Sequence, residues 1–335
     1  MPSASSSFSG ARCMSHTPQF NPQGDVIASF FFILPPRQKM EQKRRFVQYL
    51  FDTAIRWSVS SFGKSEIASA VQMKRWNMVI MLIVLLAGPP PGEIVIGDTA
   101  VSAEHMIHVL EKADIVFVGE KHDDPLAHRW EQYIWEALAK DGRVLALEMF
   151  ETDVQEHLDD YLEGEITRED FLESSRPWSN YEEDYEPMVR LAGERGIRVI
   201  ASNVPRRHAA SVARAGWSGL DDEPFFKSVR VDSSNAGYRE RFMATMEEIG
   251  DQMHAMPMDP EDIYRAQLLK DAVMAKSIQG LRCVFVCGSF HSDYRSGIPD
   301  QLPPDVSYLT VKILAPGEEY SPELADFVIM RPSED

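Results

Sequence analysis

From about residue 93 onward the chain repeats one alternation: a short unbroken apolar run, then a helix-length amphipathic segment, then another run. The runs are Asp114–Gly119 (DIVFVG), Val144–Leu147 (VLAL), Arg198–Ala201 (RVIA) and Arg282–Gly288 (RCVFVCG). None shows the in-and-out pattern of a strand with one wet face, so both faces of each must be covered. Helices are expected over residues 125–140, 153–163, 166–174, 185–195, 206–214, 237–251 and 259–279, with Gly142 and Gly196 as stops. Further strands are expected at 306–314 and 327–330. Strands separated by helices in this way specify an α/β fold, with a mainly parallel central sheet and helices on both faces.

Charge divides the chain. Residues 1–92 carry ten Lys/Arg against four Asp/Glu, a net +6, whereas the whole chain is −18, which leaves −24 on the remainder. Residues 1–72 show no sustained period and are expected to be a disordered or mispredicted extension. Residues 73–92 look like a leader. Met73-Lys74-Arg75 is a basic start, and Met78–Ala87 is an apolar run of ten residues that Gly88 and three prolines stop. Such a run is too short to span a bilayer comfortably. Translation is therefore expected to start at Met73, with export and a mature domain over residues 93–335. Leu86-Ala87-Gly88 resembles the front of a lipoprotein box, but Pro89 stands where the lipid-bearing Cys would be. The expected location is the periplasm or cell envelope without lipidation. The acidity of the domain excludes nucleic acid as a partner.

In a parallel sheet, chemistry collects beyond the carboxyl ends of the strands. The first run is followed by Glu120, Lys121 and His122, the second by Glu148, the third by Arg206 and Arg207, and the fourth by His291 and Tyr294. Glu120, His122, Glu148 and His291 are expected to share one cleft, because charged groups at the ends of buried strands are costly unless paired or ligand-bound. His128 falls in the first turn of the following helix and either faces that cleft or packs structurally. His105, His108 and His157 read as solvated. His254 sits in a Met-rich loop (Met253, Met256, Met258) that suits either packing or a flat apolar ligand. Cys283 and Cys287 would lie about 13 Å apart on one face of a strand, beyond disulfide reach. Neither a CxxC, an HExxH nor a GxGxxG motif is present, and GSFHS (288–292) lacks the second Gly of a nucleophile elbow.

The stretches VGEKHDDPLAH (118–128), ALEMFETD (146–153), SNVPRR (202–207), YRAQLLKDAVMAKSI (264–278) and VCGSFHSDYRSGIP (286–299) span about 180 residues in one order. Together they resemble the ChaN family of haem-binding uptake proteins, within the grouping of Tiki, TraB and erythromycin-esterase-like proteins. The resemblance implies an α/β sandwich with a helical cap, and haem held between subunits of an exported protein, hence a homodimer on ligand binding and peripheral association with a membrane.

Two function classes follow. A haem-binding protein would draw an axial ligand from His291, Tyr294, His122 or His128 and pair the propionates with Arg206, Arg207 or Lys121. A hydrolase of esters or peptides would use Glu120, His122, Glu148 and His291 as ligands for a divalent metal, or as acid and base without one. Binding is the first reading, and metal-dependent hydrolysis the alternative.

Overall fold

The computed structural model describes residues 88–140, 142–220, 224–250 and 259–332. The extension at 1–72, most of the leader and the loop carrying His254 lie outside the described residues.

Pro89–Asp335 forms one unit built on an eight-stranded sheet. Its strands are β1 (Glu93–Ile96), β2 (Thr99–Val101), β3 (Ile115–Glu120), β4 (Val144–Glu151), β5 (Val199–Asn203), β6 (Cys283–Gly288), β7 (Tyr308–Ile313) and β8 (Phe327–Met330). The helices are α1 (Ala103–Leu110), α2 (Pro125–Leu138), α3 (Gln155–Glu163), α4 (Arg168–Ser175), α5 (Glu186–Glu194), α6 (Arg206–Ala215), α7 (Pro224–Lys227), α8 (Ala236–Gly250) and α9 (Pro260–Ser277). Strand order is β2-β1-β8-β7-β3-β6-β4-β5. From β8 to β5 every pairing is parallel; β1 is antiparallel to both β2 and β8.

The apolar runs become fully buried strands because their alternate side chains enter two different cores. Val116, Val118, Leu145, Leu147, Val284 and Val286 pack on one face with Trp130, Ile134 and Trp135 of α2. Ile115, Phe117, Ala146, Phe285, Cys283 and Cys287 pack on the other with Met274, Ala275 and Ile278. Both cysteines are buried, free thiols on that second face. Among the described residues, no helix is long and apolar enough to cross a membrane.

Three differences from the sequence reading have local causes. The β1–β2 hairpin was not expected, because strands of four and three residues are too short to show a period. β4 runs on through Glu151, so Glu148 lies inside the strand, not after it; the register against β5 shifts between Leu147 and Glu151 and breaks the ladder there. The segment before α5 begins earlier than expected, as a π turn over Tyr181–Tyr185.

Candidate functional site

The carboxyl ends of β3, β4, β5 and β6 lie along one edge of the sheet, since these strands are parallel, with Glu120 opposite Gly288. Gly119 lets the loop after β6 close over β3. A methyl group on it would meet Ser292 Oγ at 3.0 Å and Ser289 Cα at 3.1 Å.

Two networks meet at this edge. In the first, Glu120 is 2% exposed. Its Oε1 accepts from Tyr185 Oη at 2.6 Å and from His122 Nδ1 at 2.9 Å. Its Oε2 lies 3.1 Å from His128 Nδ1. His128 Nδ1 also lies 3.0 Å from Glu131 Oε2, and its Nε2 donates to the His122 carbonyl at 3.1 Å. Asp124 caps α2 through the Leu126 amide, with Pro125 in the first turn, and this aims His128 and Glu131, three residues apart, at the end of β3. Burial pushes the Glu120 carboxyl up, but hydrogen bonds from His122, His128, Glu131 and Tyr185 outweigh it and hold it down at about 2. Burial likewise opposes charge on His128, yet its bonds to Glu120 and Glu131 raise it to about 11. Glu131, fully buried beside the Glu120 charge, is pushed well above the usual carboxylate value, against the pull of His128.

In the second network, His291 Nδ1 lies 2.5 Å from Asp271 Oδ1 and its Nε2 3.3 Å from Glu148 Oε1. Glu148 Oε2 accepts the Gly288 amide at 2.7 Å, and Asp271 Oδ2 accepts Tyr238 Oη at 2.7 Å. Burial disfavours the imidazolium, but the Glu148 and Asp271 charges raise His291 to about 10. At Glu148 burial pushes the carboxyl up, but the charge and hydrogen bond of His291, the His122 charge and the Gly288 amide overcome it and hold it at about 2. Asp271 goes the other way: burial raises it.

Gly288 joins the networks. A methyl built on it would stand 2.9 Å from His122 Cε1 and 3.5 Å from Glu148 Oε2. The His122 ring, edge-on to Trp178 at 4.2 Å, thus covers the end of β6 between the two clusters. Burial lowers its basicity, but its bond to Glu120 and the Glu148 charge outweigh that and raise it.

The sequence profile described as "Haem-binding uptake, Tiki superfamily, ChaN" matches residues 106–302. The chain belongs to the ChaN family. Among solved structures, ChaN of Campylobacter jejuni, titled for cofacial haem binding, matches with a TM-score of 0.58 at 20% identity, over 72% of this chain and 98% of that one. That likeness bears on the fold. The RRSP effector domain of a MARTX toxin from Vibrio vulnificus CMCP6 has a TM-score of 0.40 at 15% identity, covering 69% of this chain and 38% of that one. The type III effector HopBA1 has 0.39 at 12%, covering 68% and 91%. No curated protein matches the chain.

On this ChaN fold the expected residues divide by position. Glu120, His122, Glu148 and His291 come together. His128 does not open into the cleft: it is 1% exposed, with both ring nitrogens committed behind Glu120. Arg206 and Arg207 lie further along the edge, paired with Glu151 at 2.5 Å and Asp153 at 2.8 Å, their side chains mostly exposed. Lys121 faces Asp123 at 3.5 Å. Tyr294 is 40% exposed and sits in the left-handed region at φ 60°, followed by Arg295 at φ 55°. Arg241 lies 4.4 Å over its ring. The sequence reading missed Glu131, Tyr185 and Asp271. For Glu131 and Asp271 a signal existed, a charged residue within the apolar face of a helix; for Tyr185 there was none.

Proposed function

We propose that this chain is an exported haem-binding protein of iron uptake, with Tyr294 as the axial ligand to iron. The observation that carries the choice of Tyr294 is its exposure on a strained loop. Two successive left-handed residues without a glycine cost about 1–2 kcal/mol each, and such strain persists where the surroundings impose it, commonly at functional sites. Here the Tyr294 amide donates to the Leu324 carbonyl at 2.8 Å, Lys312 grips Asp293 at 3.0 Å, and Arg295 binds Asp326 at 2.9 Å.

The other candidates are less available. Both nitrogens of His128 and His291 are engaged by oxygen partners. His122 commits Nδ1 to Glu120. Beside Tyr294, Arg241 also packs over Phe290, which lies with Met243 and Met246 against the core of Tyr238 and Phe242. These partly buried, adaptable side chains suit the apolar face of a tetrapyrrole. In this reading Arg206, Arg207 or Lys121 pair with propionates, a second copy covers the outer face of the ligand, and the protein associates peripherally with the envelope without a lipid anchor. Haem would supply the iron and the chromophore; the chain supplies the phenol oxygen and the apolar wall.

Titration of the full chain with haemin tests this. A Soret band is expected, with Tyr294→Phe shifting it and weakening binding at least tenfold, because axial-ligand identity sets the iron's spectrum. An unchanged spectrum and affinity in Tyr294→Phe would overturn the assignment.

A second reading rests on a different observation: the ionised Glu120 orients His122, which faces Glu148 and His291 across Gly288. That arrangement fits hydrolysis of an ester or peptide bond, metal-assisted or by acid–base work alone. It is favoured if the protein turns over such substrates, the activity vanishes in Glu120→Gln, and that variant still folds.

A further inference from the structure

Behind the rim, Glu120, His128 and Glu131 place carboxylate oxygens and an imidazole nitrogen within 4.8 Å of one another, all in buried residues. We propose that these three side chains form a divalent transition-metal site that ties β3 to α2. The proposal is independent of what the rim binds.

The polar atoms lack partners where an ion would sit. Glu120 Oε2, whose near neighbour is His128 Nδ1 at 3.1 Å, and Glu131 Oε1 are buried without a well-formed hydrogen bond, in residues 2% and 0% exposed. An unsatisfied buried oxygen is costly, and one on each of two neighbouring carboxyl groups calls for an explanation. The separations fit an ion. His128 Nδ1 lies 3.1 Å from Glu120 Oε2 and 3.0 Å from Glu131 Oε2. Tetrahedral coordination at about 2.0–2.1 Å sets neighbouring ligand atoms about 3.3 Å apart, so the two contacts of His128 need open by only a few tenths of an ångström.

The surrounding hydrogen bonds have the form that metal ligands require. His128 Nε2 faces the His122 carbonyl at 3.1 Å and Asp184 Oδ2 at 3.4 Å, both acceptors, so it carries a proton. With Nε2 holding its proton, an ion would displace the proton on Nδ1 and take that lone pair, between the two carboxyl groups that Nδ1 now faces. Tyr185 Oη donates to the other oxygen of Glu120 and orients that carboxylate. One imidazole and two carboxylates suit zinc or manganese better than the oxygen-only set that calcium or magnesium prefers. The alternative occupant is a proton on His128 shared with both carboxylates, which predicts no affinity for metal.

The test uses the full chain. Elemental analysis after purification, and after chelator dialysis followed by ZnCl2 or MnCl2, should find about one equivalent of metal. Removing it should lower the melting temperature, and adding the ion back should restore it, because binding to the folded state alone is folding free energy. Glu131→Gln and His128→Gln should lose the equivalent. Two results would overturn the proposal: a wild-type protein that takes up no metal and whose melting temperature ignores both chelator and added ion, or variants at 128 and 131 that retain a full equivalent, which would place the ion on the His122–His291 rim. If neither variant folds, the wild-type metal content and chelator response decide alone.

Discussion

Glu148→Gln separates the charge of Glu148 from its shape. The amide keeps an oxygen for the Gly288 amide, which now donates at 2.7 Å, but it removes the negative charge 3.3 Å from His291 Nε2. His291 is held at about 10 against an ordinary value of 6.5, which corresponds to about 5 kcal/mol of preference for the charged ring at 1.36 kcal/mol per pH unit. Glu148 and Asp271 share that preference, so loss of one should cost about 2–3 kcal/mol at pH 6. The lowering of Glu148 to about 2 is the same attraction seen from its other end and adds nothing further. The signs give a pH window. A raised imidazole contributes stability fully present below about pH 6.5 and lost as the pH climbs toward 10; a depressed carboxylate contributes stability present above about 4.5 and lost on the way down to about 2. The wild type should therefore be most stable between these limits, and Glu148→Gln should lower that plateau and flatten its alkaline side. Urea unfolding at about pH 6, 7, 8.5 and 9.5 reads both effects. A variant within about 0.5 kcal/mol of wild type at pH 6, or one with an unchanged alkaline slope, would refute the coupling.

Arg143 is 3% exposed, and its guanidinium donates to the carbonyls of Glu111, Ala113, Asp114 and Cys283 at 2.8–3.3 Å. Arg143→Met leaves these acceptors without that donor and should cost at least about 3 kcal/mol in thermal or urea unfolding. Gly288→Ala puts a methyl 2.9 Å from His122 Cε1, a side-chain atom able to yield. The melting temperature should move by less than about 4 °C, while the His122 ring resonances shift in a proton–carbon correlation spectrum.

The sheet was legible in the sequence because burial on both faces is written into consecutive residues: IVFVG and CVFVCG leave no polar position to face water. The expected helix following β3 differs from α2 by two residues at its end, and Pro125 after Asp124 marks its start. The short β1–β2 hairpin was not legible, nor was the continuation of β4 through Glu148, because a strand that bends at a register shift carries no period to read. The convergence of Glu120, His122, Glu148 and His291 needed only the parallel sheet, since topology alone brings strand ends together. Their division into two networks did not follow from topology. It depends on Glu131 and Asp271, which arrive from α2 and α9 and are 0% exposed. Each of these acids sits where helical spacing calls for an apolar residue, Glu131 between Ala127 and Trp135, Asp271 between Leu268 and Met274. A buried acid must find a cation or keep its proton, and the two acids do different things. Asp271 pairs with the His291 ring; Glu131 shares His128 with Glu120, and its carboxyl is pushed up by burial and by the Glu120 charge. The charge state of the rim is therefore set from behind, by buried acids on the two helices that pack against it. Mutations on those hidden faces should change the rim's chemistry without altering its shape.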